Sequence, residues 1–122
     1  MFVIRVVSEL FFSSRISEVC RTLQIETGVA KNQEKLELLL AEHPDAIAFI
    51  DLGLSGESGP ALAGIAVAKL GPERVWGFYS HVATELLEQA ESNGASQVVP
   101  RSHFFEMLPN LLQLLQQQKC GK

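Results

Sequence analysis

Pro44-Asp-Ala-Ile-Ala-Phe-Ile-Asp51-Leu-Gly-Leu-Ser-Gly-Glu-Ser-Gly59-Pro60 is the stretch on which the fold turns. Ala46–Ile50 is an unbroken apolar run, as expected for a strand covered on both faces. It closes on a carboxylate, passes through a turn rich in Gly and Ser, and meets Pro60, which suits a first helical turn. A strand that leads straight into a helix is one β-α unit.

The same alternation continues outward in both directions. Further apolar runs lie at Phe2–Val7, Ile25–Ala30, Val75–Tyr79 and Gln97–Val99, and Gly28 suits the second to an edge strand. Over Phe12–Leu23, the residues Phe12, Ile16, Val19, Cys20 and Leu23 share one stripe, with Arg15, Glu18 and Arg21 opposite. Asn32 reads as the N-cap of a helix carrying Leu36, Leu39 and Leu40 that ends before Pro44. The helix opened by Pro60 buries Leu62, Ile65, Ala66 and Leu70 and stops at Gly71-Pro72. A fourth, around Val82–Asn93, buries Leu86, Leu87 and Ala90 and is capped by Gly94. The last, about His103–Gln118, carries Phe104, Leu108, Leu111, Leu112 and Leu115, and Pro109 predicts a kink or a fresh start within it. Five β-α units with short connections predict a parallel α/β sheet with helices on both faces. Its function then gathers beyond the carboxyl ends of the strands.

Composition narrows the class. Residues 1–122 read as one domain without linker or repeat, and 47% apolar content is enough for a core. The formal charge of −4 and the lack of a Lys/Arg cluster argue against duplex nucleic-acid binding driven by phosphate neutralisation. No apolar run nears the roughly 20 residues of a membrane span, and Arg5 interrupts the first run, so no secretory signal is expected. Cys20 and Cys120 read as reduced thiols of a cytoplasmic protein.

The carboxyl edge collects Ser8 and Glu9 after the first strand, Asp51 after the third, Tyr79-Ser80-His81 after the fourth and Arg101-Ser102-His103 after the fifth. Of 14 acidic residues only two are aspartates, yet one closes the most apolar strand. A carboxylate there is costly to desolvate, so Asp51 is expected to pair with Arg101. His81 and His103, with Glu9 and Asp51, offer an alternative: a transition-metal site or a small enzyme using Asp51, His81 and His103. Phe12 belongs to the buried stripe, Phe11 reads as core or as an exposed anchor for a partner at this edge, Val82 stands where a partner would touch, and Trp76 reads as core or as the rim of an interface. Gly53, Gly56 and Gly59 form a turn and not a phosphate cradle, since neither a P-loop nor G-x-G-x-x-G is present.

These segments resemble response-regulator receiver domains. There a strand ends in the phospho-accepting Asp, with Pro four residues on and Gly eight residues on; here Gly59 matches and Ser55 replaces the Pro. Gly94-Ala-Ser-Gln-Val-Val-Pro-Arg101 resembles the entry to the fifth strand, where Arg101 occupies the place of an essential Lys and Ser102 that of a Pro. The resemblance implies a flavodoxin-like, doubly wound sheet of order 2-1-3-4-5, with Asp51 as the phospho-acceptor position. It places Ser8 and Glu9 where the family has two acids, and Tyr79, or Ser80 with a one-residue slip, at the switch hydroxyl. Mg²⁺ would then rest on Glu9 and Asp51 alone. Losing one charged ligand costs roughly 1.5–3 kcal/mol, on the order of 10- to 100-fold in affinity. Arg is moreover a planar fork where Lys is a flexible point charge, so Arg101 is expected to clamp Asp51. The expectation is a degenerate receiver without catalytic residues, acting on a signalling protein partner through Phe11, Asp51, Tyr79–Val82 and Arg101. The alternative is a working phospho-acceptor using Asp51, Glu9 and Mg²⁺. By resemblance, a homodimer through the fourth and fifth helices is also implied.

Overall fold

A computed structural model describes residues 1–120, with side chains through residue 118; the Cys120 thiol lies outside the described residues. Five β-α units follow in order. They are β1 (Phe2–Val6), α1 (Leu10–Thr22), β2 (Glu26–Val29), α2 (Gln33–Glu42), β3 (Ile47–Asp51), α3 (Gly59–Leu70), β4 (Val75–Tyr79), α4 (Thr84–Ser92), β5 (Val98–Pro100) and α5 (Arg101–Cys120). The strands form one parallel sheet ordered β2-β1-β3-β4-β5, the topology expected from the sequence.

Alternation along the strands divides the core in two. Ala48 and Ile50 of β3 pack with Leu36, Leu39 and Leu40 of α2, Leu62, Ala63 and Ala66 of α3, and Ala90 of α4. Ile47 and Phe49 face the other way, onto Ile16 and Cys20 of α1 and Phe104, Phe105, Leu108 and Leu112 of α5. Every residue of β3 is buried, which accounts for its continuous apolar run. Asp51, next in the alternation after Ile47 and Phe49, falls on the α1/α5 side. Cys20 is free and buried, and burial pushes its thiol up to about 11, so it is protonated and unreactive at neutral pH.

Several boundaries differ from expectation for local reasons. Asn32 does cap α2, its Oδ1 accepting the Lys35 N–H at 2.8 Å. α1, however, opens at Leu10, because Glu9 takes up the extended backbone of an N-cap; the exposed residues Leu10 and Phe11 precede the apolar stripe and so escape it. α4 opens at Thr84, leaving Val82 in the preceding loop. β5 reaches Pro100, which an edge strand tolerates. α5 begins at Arg101 and continues through Pro109 as one helix, so no fresh start occurs there. Phe104, Phe105, Leu108 and Leu112 are all buried, and this packing on both sides of the exposed Pro109 offsets its lost hydrogen bond.

Candidate functional site at the carboxyl edge

Asp51 ends β3 opposite Phe78 and is only 7% exposed. Its Oδ1 accepts the Gly53 N–H at 2.9 Å. Burial raises its pKa above the ordinary carboxylate value, an effect the Gly53 hydrogen bond and the Arg101 charge oppose and the Glu9 charge reinforces. Glu9 is exposed at the start of α1 and makes no side-chain cap. Ser8, at the other expected acid position, joins the two loops: its Oγ accepts the Ser55 N–H at 3.3 Å.

The expected clamp between Asp51 and Arg101 is not formed. Among the described residues the ion pairs are Arg21–Glu18 and Arg74–Asp45, and none joins Asp51 to Arg101. The Arg101 guanidinium lies instead 4.6 Å from the centroid of the Phe12 ring. A planar, weakly hydrated guanidinium stacks well on an aromatic face, and Phe12 supplies that face from the first turn of α1. The arrangement extends further: Phe12 stacks on Phe105 at 5.4 Å, and Arg15 sits 4.6 Å over Phe105 and 5.9 Å from Phe11. Arg15 and Phe105 were not singled out from the sequence, although Phe11 and Arg15 stand one helical turn apart.

The switch positions separate. Tyr79 pairs with Pro100 at the end of β4, and its ring is buried with the α2/α3/α4 core, on the face away from Asp51. Ser80 lies just past the strand, half-buried, and its carbonyl accepts the Ala83 N–H at 2.8 Å in the turn toward α4. Phe11 is 64% and Val82 76% exposed, and Leu10, which the sequence did not flag, is 80% exposed. Trp76 stands opposite Phe49, back from the edge, and packs on the α1/α5 core; its Nε1 is buried without a partner.

No three His, Cys, Asp or Glu side chains among the described residues form a group suited to a metal. His81 and His103 are both exposed, and among the described residues they form no metal-binding group with Asp51 and Glu9. For Mg²⁺ the side-chain carboxylates on offer are two, the exposed Glu9 and the buried Asp51, whose Oδ1 accepts the Gly53 N–H. Such a set fits an ion that demands near-ideal octahedral oxygens poorly.

Asp51 therefore carries a cost in stability. Its folded pKa is raised, so between the unfolded and folded values the native state holds the proton more tightly. Stability is then fullest below the ordinary carboxylate value of about 4 and falls as pH rises through the higher folded value. Asp51→Asn keeps an acceptor for Gly53 and removes the charge. It is expected to stabilise the protein at neutral pH by on the order of 1 kcal/mol, or roughly 3–5 °C. The gain should disappear at acid pH, which urea unfolding at the two pH values would read; an equal gain at both would contradict the burial argument.

A five-stranded parallel sheet of order 2-1-3-4-5 with five helices is the flavodoxin-like fold, which solved receiver domains of response regulators share. The receiver domain of NtrX from Brucella abortus superposes with a TM-score of 0.74 at 17% identity, over 93% of this chain and 95% of that one. The phosphorylated cyanobacterial phytochrome response regulator RcpA gives 0.73 at 13% identity, over 90% and 89% of the two chains. A response regulator from Thermotoga maritima gives 0.71 at 15% identity, over 92% and 93%. No protein-family model and no curated protein matches the chain by sequence. Among the described residues no helix is long and apolar enough to cross a membrane.

Proposed function

We propose that this chain is a receiver-like signalling module that acts by binding a protein partner at the carboxyl edge, with Asp51 a poor phospho-acceptor. The observation that carries this reading is the position of Arg101, whose guanidinium rests on Phe12 and not on Asp51. Phosphoryl transfer to a carboxylate depends on a metal and a cation placed to neutralise the developing charge. Here the cation is held by an aromatic ring, one of the two acid positions is Ser8, and the carboxylate itself is buried. The face left for a partner includes Phe11, Val82 and the loop from Tyr79, an aromatic and apolar set of the kind that anchors interfaces. Leu114, 58% exposed on α5, supports self-association through α4 and α5 as a further contact.

Incubation with acetyl phosphate and Mg²⁺ followed by intact-mass measurement tests the proposal. No phosphoryl adduct is expected. Robust modification that Asp51→Asn abolishes would favour the second reading, a working phospho-acceptor at Asp51 with Glu9 and Mg²⁺. What favours that reading is the place of Asp51 at the end of β3.

A further inference from the structure

A groove runs along α1 and reaches Arg5 of β1, and its lining concentrates positive charge on an otherwise acidic protein. Arg5, Arg15 and Arg21 line it, three of the five arginines in a chain of net charge −4. The one acid on its walls is Glu18, whose carboxylate lies 3.9 Å from Arg21 with both side chains more than 70% exposed, so it neutralises little.

Arg5 is the more informative of the three. It stands half-buried on β1 beneath α1, and all its hydrogen-bond partners are neutral. Its Nε donates to Thr27 Oγ1 at 2.9 Å, and its Nη1 donates to Ser13 Oγ at 2.7 Å and to the Ser13 carbonyl at 3.2 Å. No carboxylate pairs with it and its Nη2 has no acceptor among the described residues. Burial disfavours its charge, yet guanidinium stays charged in proteins. A half-buried cation without a counter-charge, opening onto a groove with two more arginines, is suited to an anionic oxygen from outside.

The other end of the groove decides what carries that oxygen. Leu10 and Phe11 line it at the start of α1, 80% and 64% exposed. From Leu10 to Arg21 the helix advances about 17 Å, or three turns. A free anion would satisfy the arginines and leave Leu10 and Phe11 uncovered. A nucleic acid would meet repulsion from the acidic remainder of the chain. An amphipathic acidic segment, apolar at one end and carboxylate-bearing at the other, matches both ends at once.

We infer that the α1 groove is a docking surface for an acidic amphipathic segment of a partner protein, its apolar residues on Leu10 and Phe11 and its carboxylates on Arg15, Arg21 and Arg5. This rests on the reading of the chain as an interaction module, and it specifies the chemistry of the partner.

The test is an amide NMR titration of the full chain with a synthetic helical peptide of about three turns carrying Leu at one end and Glu along one face. Shifts should concentrate on residues 10–21 and the adjoining β1 and β2, and binding should weaken as salt rises. The exposed pair Arg15→Glu/Arg21→Glu should stay folded with only a modest fall in melting temperature, from the lost contact of Arg15 with Phe105, and bind roughly tenfold or more weakly. A peptide with Lys in place of Glu should not bind. Shifts elsewhere on the surface, or affinity unchanged by the charge reversal, would overturn the inference. So would inorganic phosphate or oligothymidylate giving the same shifts and displacing the peptide, which would make the groove a general anion site. Binding that survives the charge reversal but is lost in Phe11→Ala would remove the acidic segment and leave the interaction reading standing.

Discussion

Gly59→Ala is expected to destabilise the protein by more than about 3 kcal/mol, a large part of the 5–15 kcal/mol that holds a domain of this size together. A methyl group on Gly59 would fall onto the backbone of Leu52, 2.5 Å from its Cα and in contact with its carbonyl oxygen. Backbone on both sides leaves nothing that can turn away. The Leu52 N–H is bonded to the Phe78 carbonyl at 2.9 Å and the Leu54 N–H to the Asp51 carbonyl at 3.1 Å, so the segment that would have to shift is tied to β4 and to β3. The substitution would push the start of α3 away from the end of β3, and with it the loop that holds Gly53 against Asp51. Gly56 supplies the control. Its φ of +85° favours glycine, but an added methyl would meet nothing within 4 Å, so Gly56→Ala should cost only about 1–2 kcal/mol. Urea unfolding of the two variants separates the mechanisms; equal losses would show that close approach at Gly59 is not what requires glycine there.

Phe104→Ala should cost about 3–5 kcal/mol, the range for an aromatic side chain removed from a closed core. The ring is fully buried at the start of α5, with centroids 4.7 Å from Phe78, 5.1 Å from Phe49 and 5.1 Å from Phe105. It joins β3 and β4 to α5 through three aromatic pairs, each worth about 0.5–1.5 kcal/mol beyond the area it buries. The loss would also reach the carboxyl edge. Phe105 packs on Phe104, carries Arg15, and stacks on Phe12, which carries Arg101. Phe104→Leu should therefore recover most of the stability while leaving the arginine contacts looser. Equilibrium unfolding followed by Trp76 fluorescence reports both variants, since Trp76 packs on the same cluster. A loss below about 1 kcal/mol for Phe104→Ala would mean that the core closes over the gap.

Both variants act through packing that joins distant segments, and the same distinction separates what was readable in the chain from what was not. Leu36, Leu39 and Leu40 declare their helix, and Ile47–Ile50 their strand, because period and burial are written in neighbouring residues. The order of the sheet followed from a resemblance in the spacing of Asp51, Gly59, Gly94 and Arg101, whereas the place of Asp51 at the carboxyl edge was legible from the apolar run it closes. Leu10 escaped notice because it precedes the apolar stripe, and the start of α1 depends on how Glu9 turns the chain. Gly59 was recognised by its position, but its reason, contact with the backbone of Leu52, belongs to the packing of α3 on β3.

The strands, the helices, the two-sided burial of β3 and the acidic group at its carboxyl end are properties of the linear chain, since each depends on residues a few positions apart. The partner of Arg101 is not such a property. A carboxylate and an aromatic ring both attract a guanidinium, and the choice between Asp51 and Phe12 depends on how α1 seats against α5, which no local pattern records. The neutral surroundings of Arg5 have the same origin: Thr27 and Ser13 reach it only once β2 pairs with β1 and α1 folds over both.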